Sequence, residues 1–389
     1  MWRLRDKYAI AGIGYTDFSK NSGRTVRRLA SEACLAAVSD AGLDLHDVDG
    51  FCSFNMGDSV PGIAVATELG IPDIKWAVDL YAGGNAANLI VAHAAAAIEA
   101  GMAETVLCFR AMNGRSGFRF GAGGNAARAA GITQYSAPFG LMTYGQAMAM
   151  WCRRYMNRYG LKAEQLGTIA TSFRENAQRN PRAMVRTPLS LDDYLASRMI
   201  VEPFRMFDIC LESDGACAVL VTSAERARDL RKPPVYITSA VYGGGPSQGE
   251  DLFDALRWPD HSHNCFKYLA EDLWGAAGIS PGELDFAEIY DCFTYSVLLA
   301  LEGLGFCKEG EGGDWIQGGR ISPGGDLPLN TNGGLLSEAY IHGFNHVIEA
   351  VEQLRGEAGD RQVPDARTGL TTAGAMTCGS ALVLRNDRC

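Results

Sequence analysis

Short runs of apolar and β-branched residues alternate along the chain with longer stretches whose apolar residues recur every three to four positions. The short runs at 8–14, 50–54, 75–80, 105–110, 216–222, 235–241, 286–290, 368–373 and 380–384 predict strands. Amphipathic spacing predicts helices over 25–41, 85–101, 267–277, 294–304 and 340–355. Strands that alternate with helices in this way predict an α/β fold, with helices packed on a mainly parallel sheet.

One pattern occurs twice. Ala41-Gly42-Leu43-Asp44-Leu45-His46-Asp47-Val48-Asp49 ends one helix and leads into a strand, and Ala277-Gly278-Ile279-Ser280-Pro281-Gly282-Glu283-Leu284-Asp285 does the same further on. Each has an Ala-Gly helix stop and a polar loop closed by an acidic residue, an apolar residue and Asp. Two related halves are expected, 1–230 and 231–389. Between their strands, 114–205 lacks the short alternation and is rich in Gly, Arg, Met and Tyr. It is expected to be an inserted loop domain packed over the first half and covering a site.

With 389 residues and 47% hydrophobic composition, the chain can bury a large core. A formal net charge of -10 and the absence of any Lys/Arg-rich run argue against a nucleic-acid or anionic-membrane partner. The opening residues lead straight into a strand, unlike a secretory leader, and the most apolar long stretch, 86–103, carries His93 and Glu99. A cytoplasmic protein is expected. Eleven cysteines with no C-x-x-C pair fit reduced thiols better than a disulfide framework.

Several local motifs suggest chemistry. Gly12-Ile13-Gly14-Tyr15-Thr16-Asp17 begins like a dinucleotide fingerprint, but Asp17 stands where the third glycine belongs, which argues against nucleotide binding. Asp260-His261-Ser262-His263-Asn264-Cys265 has metal-capable side chains without a tetrahedral spacing, so a solvated loop and no metal are expected. In the 332–343 segment, Gly333 and Gly334 let backbone approach a ligand just before a polar helix start; a turn capped by Ser337 is the alternative. Arg110, Arg115 and Arg119 are candidate phosphate contacts, with solvated loop arginines as the alternative.

Leu80-Tyr81-Ala82-Gly83-Gly84-Asn85-Ala86-Ala87, Ser213-Asp214-Gly215-Ala216-Cys217-Ala218, Glu288-Ile289-Tyr290-Asp291-Cys292-Phe293 and the 332–343 segment occur in this order along nearly the whole chain. In that order they resemble a thiolase of the sterol carrier protein type. The resemblance implies a thiolase fold, with two pseudo-repeated βα halves in a layered αβαβα arrangement, and a homodimer. It also implies that Tyr81 occupies the nucleophilic cysteine's position and that Tyr290 and Tyr340 occupy those of two histidines. Cys378 is only a loose match for the last catalytic cysteine. Acyl transfer by the usual route requires that nucleophile; aldol cleavage does not.

Tyr-Asp-x-Phe together with Glu-Ala-Tyr-Ile-His-Gly is similar to the thiolase-like aldolases of actinobacterial steroid side-chain degradation. That resemblance implies a retro-aldolase acting on a 17-hydroxy steroid-22-oyl-CoA and releasing a 17-ketosteroid and propionyl-CoA. It implies Tyr290 and Tyr340 as the acid/base pair, and Tyr81, Gly333, Gly334, His342 and Cys378 near the substrate. No cofactor is implied beyond the CoA of the substrate. A zinc-ribbon/OB-fold protein partner is implied, with the homodimer at the core of a heterotetramer. A phenol near pKa 10 is a ready acid and a poor base without help, and the residues leave open which tyrosine takes which role. A residual thiolase using Cys292 or Cys378, and a non-catalytic acyl-CoA carrier or scaffold, remain as competing functions.

Overall fold

The computed structural model describes residues 2–117, 119, 134–247 and 258–386. Its strands are β1 (Tyr8–Tyr15), β2 (Gly50–Asn55), β3 (Trp76–Tyr81), β4 (Thr105–Asn113), β5 (Met199–Val201), β6 (Phe204–Arg205), β7 (Asp214–Ser223), β8 (Val235–Gly243), β9 (Phe286–Glu288), β10 (Thr368–Ala373) and β11 (Gly379–Arg385). All nine expected strands are present with small shifts at their ends. They join in one sheet ordered β3-β2-β4-β7-β1-β8-β11-β10-β9, while β5 and β6 form a separate hairpin.

Outward from the seam between β1 and β8, the two sides repeat one order. On one side β1 is followed by antiparallel β7, then β4, β2 and β3; on the other β8 is followed by antiparallel β11, then β10 and β9. The pairs β2/β4 and β9/β10 are both parallel. Where the second side would carry its fifth strand, Leu329 forms a parallel bridge to Ala287. The seam itself is narrow, pairing only Ala9 with Tyr236 and Ile10 with Val235.

The first half carries helices α1 (Val26–Ala41), α2 (Gly62–Leu69) and α3 (Ala87–Glu99). The segment between its strands carries α4 (Tyr144–Tyr159), α5 (Ala163–Gln178) and α6 (Leu191–Ala196), and α7 (Ala224–Arg228) follows β7. The second half carries α8 (Phe266–Ala277), α9 (Thr294–Gly303), α10 (Gly312–Trp315), α11 (Gly334–Ser337) and α12 (Phe344–Arg355). Helices α3 and α12 pack against strands of both halves, whereas α1 and α8 lie against one half each, giving the layered αβαβα order. The repeated sequence pattern has a structural counterpart: Gly42 and Gly278 are left-handed caps, at φ 75° and 68°, ending α1 and α8. A single 3-10 turn then leads into β2 or β9.

The Gly12-x-Gly14 pattern serves packing. A Cβ on either residue would come within 2.1 Å of a carbonyl oxygen of α1, so the glycines allow that helix to lie directly on β1.

Three expectations are corrected. The sheet is mixed rather than mainly parallel, because the five pairings from β4 across the seam to β10 are antiparallel and only β2/β3, β2/β4 and β9/β10 are parallel. The inserted segment packs over the second half, because α5 lies against α9, α10 and α11. The buried Asn176 of α5 and Asn180 just beyond its end donate to the carbonyls of Leu329, Asn330 and Asn332, satisfying an irregular stretch of backbone. Residues 118 and 120–133 of this segment lie outside the described residues. The 260–265 loop is also not merely solvated: Asp260 pairs with Arg154 and Arg158, and buried His263 stacks on Trp258 and shares a 2.9 Å hydrogen bond with Tyr268.

Candidate active site

Tyr290 follows β9 directly, and its amide donates to Thr372 Oγ1 at the end of β10, 2.8 Å away. Tyr340 lies between α11 and α12, its amide donating to Ser213 Oγ at 3.1 Å. The two phenol oxygens meet at 3.0 Å, with the rings edge to face and 6.4 Å between centroids. The sheet thus joins residues fifty positions apart into one hydrogen-bonded pair.

Gly84, in the turn before α3, forms the wall facing this pair. A Cβ there would lie 1.9 Å from Tyr290 Oη, so only glycine leaves room for the phenol. Gly343, at φ 81°, allows the same kind of close approach from the other side, where a Cβ would meet the Tyr290 ring at 2.8 Å. Neither close approach can be inferred from spacing alone.

Burial pushes the Tyr290 phenol well above its ordinary value, and the neighbouring Tyr340 and Cys292 add to this. Tyr340 is also pushed well up by burial and by Cys210 and Cys292, while the bond from Tyr290 and the charge of Arg110 pull it back. Both phenols are therefore neutral in the free protein near pH 7. The Cys292 thiol is raised too, mainly by burial, so it is a thiol rather than a thiolate.

Two buried histidines flank Gly343. His342, at φ 52°, has its ring 4.9 Å from that of Tyr340 and 6.1 Å from that of Phe54, and its Nδ1 accepts from Arg110 Nε at 3.2 Å. Burial, reinforced by Arg110, pushes His342 well below its usual range. His346 lies with Nδ1 3.3 Å from Glu288 and Nε2 3.1 Å from Asp291. Burial opposes its charge, but the two carboxylates outweigh burial and push it up to about 10. Asp291 also accepts from the amides of Leu335 and Leu336, at 2.9 and 3.2 Å, which anchors α11.

The other candidates from the sequence are placed differently. Arg110 is not placed to meet a phosphate: its guanidinium is wholly buried, paired with Asp58, and bonded to His342 and the Ala111 carbonyl. Gly333 and Gly334 do not bring backbone to a ligand; both are buried, and a Cβ on Gly334 would lie 2.1 Å from Asp291 Oδ2. Gly333 is the residue before α11, while Ser337 lies at that helix's end and accepts from Arg174 Nε, so it is not the cap.

Tyr81 ends the edge strand β3 with its side chain 81% exposed, away from the pair's buried setting. Cys378 neighbours Tyr242 and Cys265 rather than the two phenols. Arg119 is exposed and pairs with Glu212, whose backbone bridges to Tyr340; Arg115 is half-buried, its amide donating to Asp214.

The family described as Thiolase C-terminal domain-like matches residues 251–386. The fold superposes on human mitochondrial 3-ketoacyl-CoA thiolase with a TM-score of 0.70 at 14% identity, covering 99% of this chain and 100% of that one. A solved Ltp2-ChsH2(DUF35) aldolase superposes with a TM-score of 0.92 at 43% identity, over 99% of each chain. The 17-hydroxy-3-oxo-4-pregnene-20-carboxyl-CoA lyase of Mycobacterium tuberculosis is 42% identical over 98% of this chain and 100% of its own. The steroid side-chain-cleaving aldolase of Thermomonospora curvata is 44% identical over 98% of each chain. With a thiolase frame that carries a tyrosine pair and with these whole-length likenesses, the chain belongs to the thiolase-like steroid side-chain-cleaving aldolases.

Proposed function

We propose that this protein is a retro-aldolase that cleaves the Cα–Cβ bond of a β-hydroxyacyl-CoA, a 17-hydroxy steroid-22-oyl-CoA, to a 17-ketosteroid and propionyl-CoA. The observation that carries this reading is the buried 3.0 Å contact between the Tyr290 and Tyr340 hydroxyls. In the proposed reaction, one member of the pair in its phenolate form takes the proton of the tertiary hydroxyl. The hydroxyl oxygen becomes a ketone, the Cα–Cβ bond breaks, and its electron pair moves into the thioester enolate. The other phenol then protonates Cα, and a proton shift along the hydrogen bond restores the pair. No acyl group is transferred and nothing is oxidised, so no nucleophilic cysteine is required. The neutral Cys292 thiol speaks against a residual thiolase at this site.

The acid and base roles belong to the pair jointly. We also propose that the protein is a homodimer within a heterotetramer, working with a zinc-ribbon/OB-fold partner, and that the solved Ltp2-ChsH2(DUF35) aldolase is the relevant precedent. The exposed apolar Tyr135, Phe139 and Met150 of the inserted segment support a partner surface.

The test is to incubate the chain, with and without such a partner, with the steroid thioester and identify the products by mass spectrometry. A released 17-ketosteroid with stoichiometric propionyl-CoA is expected; unchanged substrate with the partner present, or a thiolysis product, would overturn the reading. Tyr290→Phe and Tyr340→Phe are each expected to lower kcat by about 10²–10⁴-fold with folding intact, the range of a lost general acid or base.

A further inference from the structure

Arg110 stands in the middle of the molecule, fully buried on β4, although nothing in the proposed proton transfers uses it directly. A guanidinium keeps its charge and has no acceptor, so each atom that faces one of its N–H groups must accept. Arg110 pairs with the buried carboxylate of Asp58, donates to the Ala111 carbonyl at 3.1 Å, and lies 5.3 Å over the Phe54 ring. Its Nε reaches His342 Nδ1 at 3.2 Å. That bond fixes the tautomer: Nδ1 accepts, so the proton of the neutral imidazole is on Nε2. His342 is held in a left-handed backbone conformation that side chains rarely adopt, with its ring against Tyr340.

We propose that Arg110 is a positioning residue: through Nε it holds His342 against Tyr340 as a neutral, Nε2-protonated imidazole, and its buried charge is the counter-charge of the phenolate that the tyrosine pair carries in turnover. The second part rests on the retro-aldol reading; the first does not. The titratable or charged groups around the pair are Cys210, Cys292, Tyr144, Asp291, His342, His346, Asp58 and Arg110, and the charge of His346 is matched by the carboxylates of Asp291 and Glu288. Among them Arg110 carries the positive charge that acts on both phenols, and it acts more strongly on Tyr340.

The experiment has two arms. In 15N-histidine-labelled protein, the His342 ring is expected to show a single neutral form, protonated on Nε2, across about pH 6 to 9. A variant with both Arg110→Met and Asp58→Asn, which strands neither charge, is expected to lose that signature. In kinetics of the chain with its partner, the rising limb of the kcat/KM profile of that variant is expected to move up by about one pH unit or more. Arg110→Lys keeps the charge and gives up the directional bond; it is expected to restore the limb but not the His342 signal, and it decides the first arm should the double variant fail to fold. An Nδ1-protonated or cationic His342 in the native protein, or an unchanged His342 signal in Arg110→Lys, overturns the first part. A folded double variant with the native pH profile overturns the second. Absence of retro-aldol turnover in the native complex overturns the second part together with the reaction reading, and leaves the spectroscopic arm to decide the first.

Discussion

The two histidines beside Gly343 are four positions apart, both buried, and in different charge states. His346 sits between Glu288 and Asp291 and is held as a cation; His342 receives a hydrogen bond from a cation and is held neutral. Burial acts on both in the same direction, so the difference comes from the neighbours. Two carboxylates provide more than the lost hydration on one side, and on the other Arg110 adds to the cost of a second positive charge. The consequence for the tyrosine pair differs as well: the charge of His346 is taken up by its two carboxylates, while the Arg110 guanidinium pulls on Tyr340 and Tyr290. A fixed charge such as that of Arg110 stabilises an anion formed beside it without reorganising during the reaction.

The strongest test of this contrast is to remove the imidazolium. His346→Gln leaves Glu288 and Asp291 buried without their cation, and a loss of about 3–5 kcal/mol in unfolding free energy is expected near neutral pH, the usual effect of breaking a buried charged pair. Urea denaturation of the two proteins measures it, and a loss under about 1 kcal/mol would mean the three groups are not a charged unit. The pH dependence has a definite sign. His346 is raised from 6.5 to about 10, so its contribution is lost as pH rises from 6.5 through about 10; burial pushes Glu288 up to about 7, so all three groups are charged only above that value. The stability gap between native protein and variant should therefore narrow steadily across that window; a gap that stays constant would argue for a neutral His346.

A second test concerns position rather than charge. Gly84→Ala places a methyl group where Tyr290 Oη now lies, so the phenol must swing away from Tyr340. Misplacing a reacting group by about an ångström costs on the order of 10²-fold in rate, and that loss is expected in kcat with the thermal midpoint nearly unchanged. Native kcat in Gly84→Ala would show that the contact between Tyr290 and Tyr340 is dispensable.

The sequence makes the frame and the pair legible and leaves the charges around the pair hidden, for a physical reason. Strand and helix periods are local, and all nine strands of the sheet stand close to where alternation puts them. The tyrosines stand out because they replace residues at positions a resemblance can mark. Arg110 and His342 meet across 232 positions, and no spacing rule connects them; Arg110, read in isolation, resembles a phosphate contact. Gly333 and Gly334 mislead for a related reason. A glycine pair indicates that something passes close to the backbone, but here it is the chain's own Asp291 and Ala177 rather than a ligand. The packing of the inserted segment on the second half is equally hidden, since it depends on Asn176 and Asn180, which satisfy carbonyls about 150 residues away.

The smallest expected effect is on the neutral histidine, and its pH signature runs the other way. His342→Phe keeps an aromatic ring against Phe54 and Tyr340 and removes the acceptor for Arg110 Nε, which should cost about 1–3 kcal/mol, the range for one buried polar group left unpaired. Because His342 is held well below its usual range in the folded state, its contribution is complete above pH 6.5 and is lost as pH falls below that value, where the unfolded chain takes up the proton. The gap between native protein and His342→Phe should be flat from about pH 7 to 9 and shrink on acidification, while the His346→Gln gap shrinks toward alkaline pH. Two denaturation series over the same pH range thus separate the two histidines, and parallel curves would mean that their neighbours do not set their charges as the geometry requires.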